Sequence, residues 1–226
     1  MKILIRNFFI ILFYLTGIPF WRRLFLKRPL LRVWCLHEVK DNRVSQFKKK
    51  IIWVKQNFNL ITPEQFLNKD LSQNKVNLLM TFDDGYESWF KNVLPVLAEE
   101  GIKGIFFINE HFRCYESRLL AAGHVLGGHS KAHSYLTEIS PEKLATEVEG
   151  SVKSEFFAYP EGDKFSYNAA VINQIKKTGY NYGFTILPSY NNLRTNPFAL
   201  HRDSLDADMP DWLFKLWLKG AYDWKI

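Results

Sequence analysis

Cysteine is scarce. Cys35 and Cys114 are the two in 226 residues, which excludes a disulfide framework and leaves open whether they are free thiols or one bridge. No uninterrupted apolar run reaches the ~20 residues of a membrane-crossing helix, so a multi-span membrane protein is excluded as well. Internal repeats and low-complexity linkers are absent. Acidic residues are missing altogether from residues 1–32, which carry Lys2, Arg6, Arg22, Arg23, Lys27, Arg28 and Arg32. The rest of the chain holds 23 of the 30 basic side chains against all 23 acidic ones. The net charge of +7 therefore belongs to the first 32 residues, and a basic nucleic-acid-binding surface is not indicated. An apolar fraction of 47% with 23% charged residues is that of a folded globular chain of about one domain.

The basic residues at the start flank an apolar run, Phe8 to Leu15, that continues weakly through Trp21. Four readings compete for residues 1–30. A cleaved signal peptide lacks a small-residue cleavage site, since Pro19-Phe20-Trp21-Arg22 is a poor one. A short or tilted anchor would use Ile3-Leu4-Ile5 and let Arg6 snorkel. An interfacial segment would place arginines on anionic head groups and aromatics at head-group level. A helix packed on the domain needs no membrane at all. Membrane association through residues 1–30 is the expectation. The excess of positive charge after the apolar run favours a domain on the cytoplasmic face of a bacterial inner membrane, with a periplasmic or other extracytoplasmic placement as the alternative.

From residue 31 to 226 short apolar runs alternate with amphipathic stretches, the pattern of parallel βα units in one domain. Strands are expected at 31–36, 59–61, 76–82, 104–108, 124–126, 155–159 and 180–186. Helices are expected at 44–57, from 62, at 87–99, 115–122, 141–152 with Ser140 as cap, 166–177 and 211–219. In such folds the chemistry lies at the carboxyl ends of the strands.

Four constellations sit at such ends. Asp83-Asp84-Gly85-Tyr86 follows the 76–82 strand. Two adjacent carboxylates there are costly unless a metal, a cation or hydrogen bonds hold them, and a helix cap is the bland alternative. His129-Ser130-Lys131-Ala132-His133 puts two imidazoles at i and i+4, on one face of a helical turn. Together with an aspartate they make a set suited to Zn2+ with positions open for water and substrate. Phe157-Ala158-Tyr159-Pro160-Glu161-Gly162 is a shaped turn whose tyrosine ring offers a face to a sugar. Phe198-Ala199-Leu200-His201-Arg202-Asp203 brings an imidazole and a guanidinium after a short strand.

In this order the four resemble the motifs of the polysaccharide deacetylase (NodB-homology) family. Thr81-Phe82-Asp83-Asp84-Gly85-Tyr86 matches the first motif, His129 to His133 the second, and Phe157 to Gly162 looks like the F-A-Y-P-x-G form of the third. Leu36-His37 with the Phe47…Ile61…Phe66 pattern is similar to the entry region of that subgroup. The resemblance spans about residues 31–205. It implies an α/β fold, a distorted (β/α)7 barrel, and metal-dependent removal of N-acetyl groups from an amino-sugar glycan or a lipid-linked sugar. It also implies one divalent ion, with Zn2+ expected, on Asp84, His129 and His133, and Asp83 as general base. Tyr159, Pro160, Gly162 and His37 would contact substrate.

Two departures from the family pattern matter. Many relatives carry an arginine in the third motif that steadies the base, whereas this chain has Ala158 there; Arg202 is the expected substitute. The acid that protonates the leaving amine is expected at His201, with His37 as second candidate, and His111 and His124 as structural. The alternative function is non-catalytic carbohydrate binding on the same fold, which needs no metal-plus-base set.

Overall fold

The computed structural model describes residues 2–223. Met1, the side chains of residues 2–5, Ile3-Leu4-Ile5 among them, and the last three residues of the expected 31–226 domain lie outside the described residues.

Seven parallel strands form a ring in the order β7-β6-β5-β4-β3-β1-β8. They are β1 (Leu31–Leu36), β3 (Asn77–Asp83), β4 (Ile105–Ile108), β5 (Val125–Gly128), β6 (Phe156–Ala158), β7 (Tyr182–Phe184) and β8 (Asp203–Ser204). A two-residue β2 (Asn59–Leu60) pairs with the start of β3 outside that path. The ends of the path meet through a parallel bridge between Phe184 and Leu200, just before β8. The result is the distorted (β/α)7 barrel.

Side-chain alternation sorts each strand into an inner and an outer face. Leu31, Val33, Leu79, Ile105, Phe107, Phe156, Ala158, Phe184 and Leu200 fill the interior. Trp34, Leu36, Met80, Phe82, Phe106 and Ile108 face outward into a second layer. That layer is completed by α3 (Val44–Asn57), through Phe47, Ile51 and Val54, and α9 (Asp211–Leu216), through Leu213 and Phe214. Continuing the inner row upward from Val33 and Leu79 gives Cys35 and, just past the end of β1, His37, with Thr81 and Asp83 on β3. The inner face thus turns polar at its carboxyl end.

The remaining helices are α4 (Pro63–Leu67), α5 (Leu94–Glu99), α6 (Glu116–Ala121), α7 (Pro141–Glu149) and α8 (Ala169–Thr178). Where they differ from the sequence reading, local chemistry explains it. The 87–99 helix becomes a π turn, Trp89–Val93, ahead of α5. Pro95 has no N–H to give to residue 91, and the wide turn absorbs that missing bond. The 141–152 helix stops at Glu149, with Gly150 as its cap. The 166–177 helix begins only at Ala169, because the Asn168 side chain accepts from Val171 N as an N-cap. Thr62 and Gln65 form a reciprocal capping box on α4.

Residues 1–30 fold as α1 (Lys2–Leu15) and α2 (Ile18–Phe25), joined at a bend of 63°. No single helix is long and apolar enough to cross a membrane among the described residues. Ile10 is fully buried and Tyr14 packs against the outer core layer. Arg22 donates to the carbonyl of Asp223, at the other end of the described chain. Cys35 and Cys114 are both free thiols, the first buried and the second exposed.

Candidate active site

The carboxyl end of the barrel opens into a pocket of about 250 Å3 lined by His37, Asp83, Asp84, His129, His133, Tyr159, Glu161 and Ile186. Asp83, the last inward residue of β3, is buried. Arg202 grips it with both nitrogens, Nη1 to Oδ1 at 2.7 Å and Nη2 to Oδ2 at 2.6 Å. The guanidinium is itself held by the Thr185 carbonyl, which accepts from Nε at 2.8 Å, and packs over the rings of Phe107 and Phe184. Burial alone would raise the Asp83 carboxyl, but the charge and hydrogen bonds of Arg202, with His129 and His37 adding to them, together outweigh it and hold the group below the usual carboxylate range.

Asp84 faces elsewhere because its backbone is left-handed, with φ of 85°. Gly85 follows at φ 93°, where a Cβ would lie 2.3 Å from the Phe112 ring. This bend separates the neighbouring carboxylates: Asp83 meets the guanidinium and Asp84 meets the histidines. Asp84 Oδ1 lies 3.2 Å from His129 Nε2 and 3.3 Å from His133 Nε2.

The two imidazoles do not sit on a helical turn, as the i, i+4 spacing suggested. Residues 129–133 are an irregular loop with left-handed backbone at Ser130 and His133 (φ 57° at each). That loop folds the rings together, with centroids 4.8 Å apart.

These three side chains fit a divalent ion. His129 Nδ1 stands 2.8 Å from the Ala158 carbonyl, which can only accept, so Nδ1 carries the proton and Nε2 presents its lone pair. That lone pair points at a carboxylate oxygen, and His133 Nε2 approaches the same oxygen. Converging acceptors need a positive charge between them. Ligands of a tetrahedral Zn2+ at ~2.0–2.2 Å stand ~3.2–3.6 Å apart, the spacing of Asp84 Oδ1 from each imidazole nitrogen. A second group of potential ligands, Cys35, His37 and Asp83, also lies close together. A cation there would meet the Arg202 guanidinium already on Asp83, so the Asp84 set is the better fit.

Other expected site residues land differently. His201 does not reach the pocket. Arg202 points into the barrel, so the alternation along the chain turns His201 to the outer side, where Asn191 donates to its carbonyl and burial beside Arg32 lowers its ring. His37 does line the pocket, with Nδ1 4.0 Å from Asp206 Oδ1 and its carbonyl accepting from Trp89 Nε1. Tyr159 borders the pocket but offers no free face. It is 1% exposed, stacks on Tyr167, packs edge-on against Phe157 and donates its hydroxyl to the Phe198 carbonyl. Pro160 and Gly162 shape the turn beneath the rim and are not among the lining residues. Glu161, Ile186 and Asp206 were not expected. Glu161 has a left-handed backbone (φ 62°), a feature no motif announces. His124 is a core residue whose Nδ1 accepts from Gly104 N and whose pKa burial lowers to about 4.

The profile of the polysaccharide deacetylase family matches residues 70–183, half of the chain and the stretch that holds both halves of this cluster. The chain belongs to the polysaccharide deacetylase family. A Bacillus subtilis protein that bears the name of a polysaccharide deacetylase, YxkH, is 26% identical over 87% of this chain and 76% of its own. Peptidoglycan-N-acetylmuramic acid deacetylase PdaA of the same organism is 28% identical over 46% of this chain and 44% of its own. Two solved structures show the same fold. A de-N-acetylase from Aggregatibacter actinomycetemcomitans superposes with a TM-score of 0.71 at 13% identity, over 83% of this chain and 99% of that one. IcaB from Ammonifex degensii superposes with 0.69 at 20% identity, over 87% and 97%. Within this family the deacetylase barrel described above carries its paired aspartates at the end of β3 and its two histidines after β5.

Proposed function

We propose that the protein is a metal-dependent hydrolase that removes N-acetyl groups from an amino-sugar glycan, held at a membrane surface through residues 1–30. The observation that carries this reading is the division of labour between neighbours: Asp83 ionised in the grip of Arg202, Asp84 shared by two histidines, both in one pocket. Relatives named as peptidoglycan and chitin deacetylases support an N-acetylated glycan as substrate class.

Asp84, His129 and His133 would hold the ion, which when bound supplies Lewis-acid polarisation of the amide carbonyl. Asp83 accepts the proton of the attacking water as its oxygen bonds to the carbonyl carbon. Arg202 fixes the carboxylate and keeps it ionised. His37, close to Asp83 on the pocket wall and facing Asp206, delivers a proton to the amine nitrogen as the C–N bond breaks, releasing acetate and a free amino sugar. A carbohydrate-binding protein without catalysis would have no use for a buried base clamped next to a ligand triad.

Metal analysis and acetate release from a panel of N-acetylated glycans test this together. The protein is expected to carry about one divalent ion, and His129→Ala to lose ion and acetate release at once. Full metal occupancy in His129→Ala would overturn the ligand assignment, and a loaded protein that releases acetate from no glycan would overturn the activity.

A further inference from the structure

Among the described residues, ten of the fifteen large apolar side chains left exposed lie between Phe8 and Phe25. The helices that carry them are already part of the fold. On α1, Ile10 and Tyr14 face the domain and Arg6 lies over the Trp217 ring at 6.0 Å. Phe8, Ile11, Leu12 and Leu15 repeat at helical spacing on the opposite side, with Leu15 75% exposed. On α2 the outer residues include Trp21 and Phe25, the latter 83% exposed. An apolar face of this extent calls for an apolar partner.

Charge selects the partner. Residues 1–32 hold seven cations and no carboxylate. One of them, Arg32, is buried against Asp203 and Asp223; two copies meeting through this face would bring the other twelve like charges together, whereas an anionic lipid surface complements them. Geometry selects the mode. At 14 residues, α1 is ~21 Å long, short of the ~30 Å hydrocarbon core. The chain bends by 63° before α2, and the inner face of α1 stays on the protein. Such a pair lies along a bilayer surface.

The position of α2 then orients the barrel. Arg28, just beyond it, donates to the carbonyls of Gln73 and Asn74, ahead of β3. Arg23 and Arg28 line a cleft with Asn57, Phe58, Lys75 and Val76, all at the amino ends of β2 and β3. Asp83 closes the carboxyl end of that same β3, ~20 Å away along the strand. We propose that the outer faces of α1 and α2 seat the protein on an anionic membrane with the amino ends of the strands nearer the lipid and the Asp83 pocket opening away from it. Resting on the deacetylase reading, this assigns the substrate as a glycan polymer reached from the aqueous side, not a sugar on a lipid carrier within the leaflet.

Vesicle sedimentation with lipid-borne quenching tests the proposal on the full chain. The exposed native Cys114 lies on the turn after β4, at the pocket end, and takes one dye; Phe25→Cys with Cys114→Ser takes the other. The protein should sediment with phosphatidylglycerol-containing vesicles and be released by salt. Leu12→Ser/Leu15→Ser/Phe25→Ser should weaken binding about tenfold or more. Nitroxide lipids should quench the dye at position 25 and spare that at 114. Failure to sediment, salt-insensitive binding that survives the triple substitution, or self-association in place of vesicle binding overturns the docking surface. Quenching at 114 as strong as at 25 overturns the orientation. None of these readouts needs turnover, so they stand or fall separately from the deacetylase assignment.

Discussion

Arg202 and Asp203 are neighbours in the chain and both are fully buried, yet they belong to two different ionic clusters on opposite faces of one strand. On the inner face Arg202 meets a single carboxylate, Asp83, at 2.7 and 2.6 Å. On the outer face Arg32 meets two, Asp223 at 2.8 Å and Asp203 at 3.2 Å, under the ring of Tyr190. The residue types and the burial are the same; the stoichiometry is not. With a guanidinium of its own, Asp83 is held below the ordinary range. Burial raises Asp203 to about 7 against the pull of Arg32, with Asp223 adding to the rise. The inner pair borders open space and keeps a carboxylate ready to take a proton. The outer cluster ties β1, β8 and residue 223 together and lies outside the Asp83 pocket. An ionised base needs both a dedicated cation and access, and only one of the two clusters has both.

The sharpest way to break this comparison is to remove one member of each cluster. Asp83→Asn should lower kcat by ~10²–10⁴-fold. Arg32→Met should leave kcat per folded molecule within a few-fold. Both should destabilise the fold, because each strands a buried partner, at a cost of about 3–5 kcal/mol. Asp83→Asn leaves Arg202 buried without its carboxylate. Denaturant unfolding alongside kcat separates the effects. Equal kcat losses in the two variants would erase the functional difference between the clusters.

The same inner and outer faces discriminate the histidines. His37→Ala should cost ~10²-fold or more in kcat as the proton donor to the amine is lost. His201→Ala should cost a few-fold at most. Steady-state rates on one confirmed glycan decide it, and the reverse order would return the acid role to His201.

Much of this was legible in the chain, and the failures have physical reasons. Alternating apolar runs announced the strands but fitted a barrel or an open sheet alike; the family resemblance pointed to the ring and to Arg202, and the strand-end rule led to Asp83, Asp84, His129 and His133. Strand alternation was also legible but unused: His201 and Arg202 are consecutive, so one strand cannot aim both at one pocket. Asp84, Ser130, His133 and Glu161 all take left-handed backbone that side chains rarely adopt, and residue type did not reveal it. Tyr159 looked like a sugar platform because an aromatic at a strand end is ambiguous until its neighbours are known. Tyr167 and the Phe198 carbonyl, 8 and 39 positions away, commit both its face and its hydroxyl.

The smallest effect sharpens the comparison from the outer side. Because Asp203 is raised to about 7 in the folded chain, against ~3.9 unfolded, the folded state holds its proton more tightly. The stability it contributes is fully present below pH ~4 and is lost as pH rises through ~7. Asp203→Asn cannot titrate and leaves Arg32 with Asp223 alone. The stability advantage of the parent chain over this variant should therefore shrink steadily between pH ~4 and ~7 and be flat above, with kcat unchanged. Urea unfolding at several pH values across that window measures it. A difference that stays constant would mean that both outer carboxylates remain ionised around one guanidinium, and the contrast with Asp83 would then rest on access to the pocket alone.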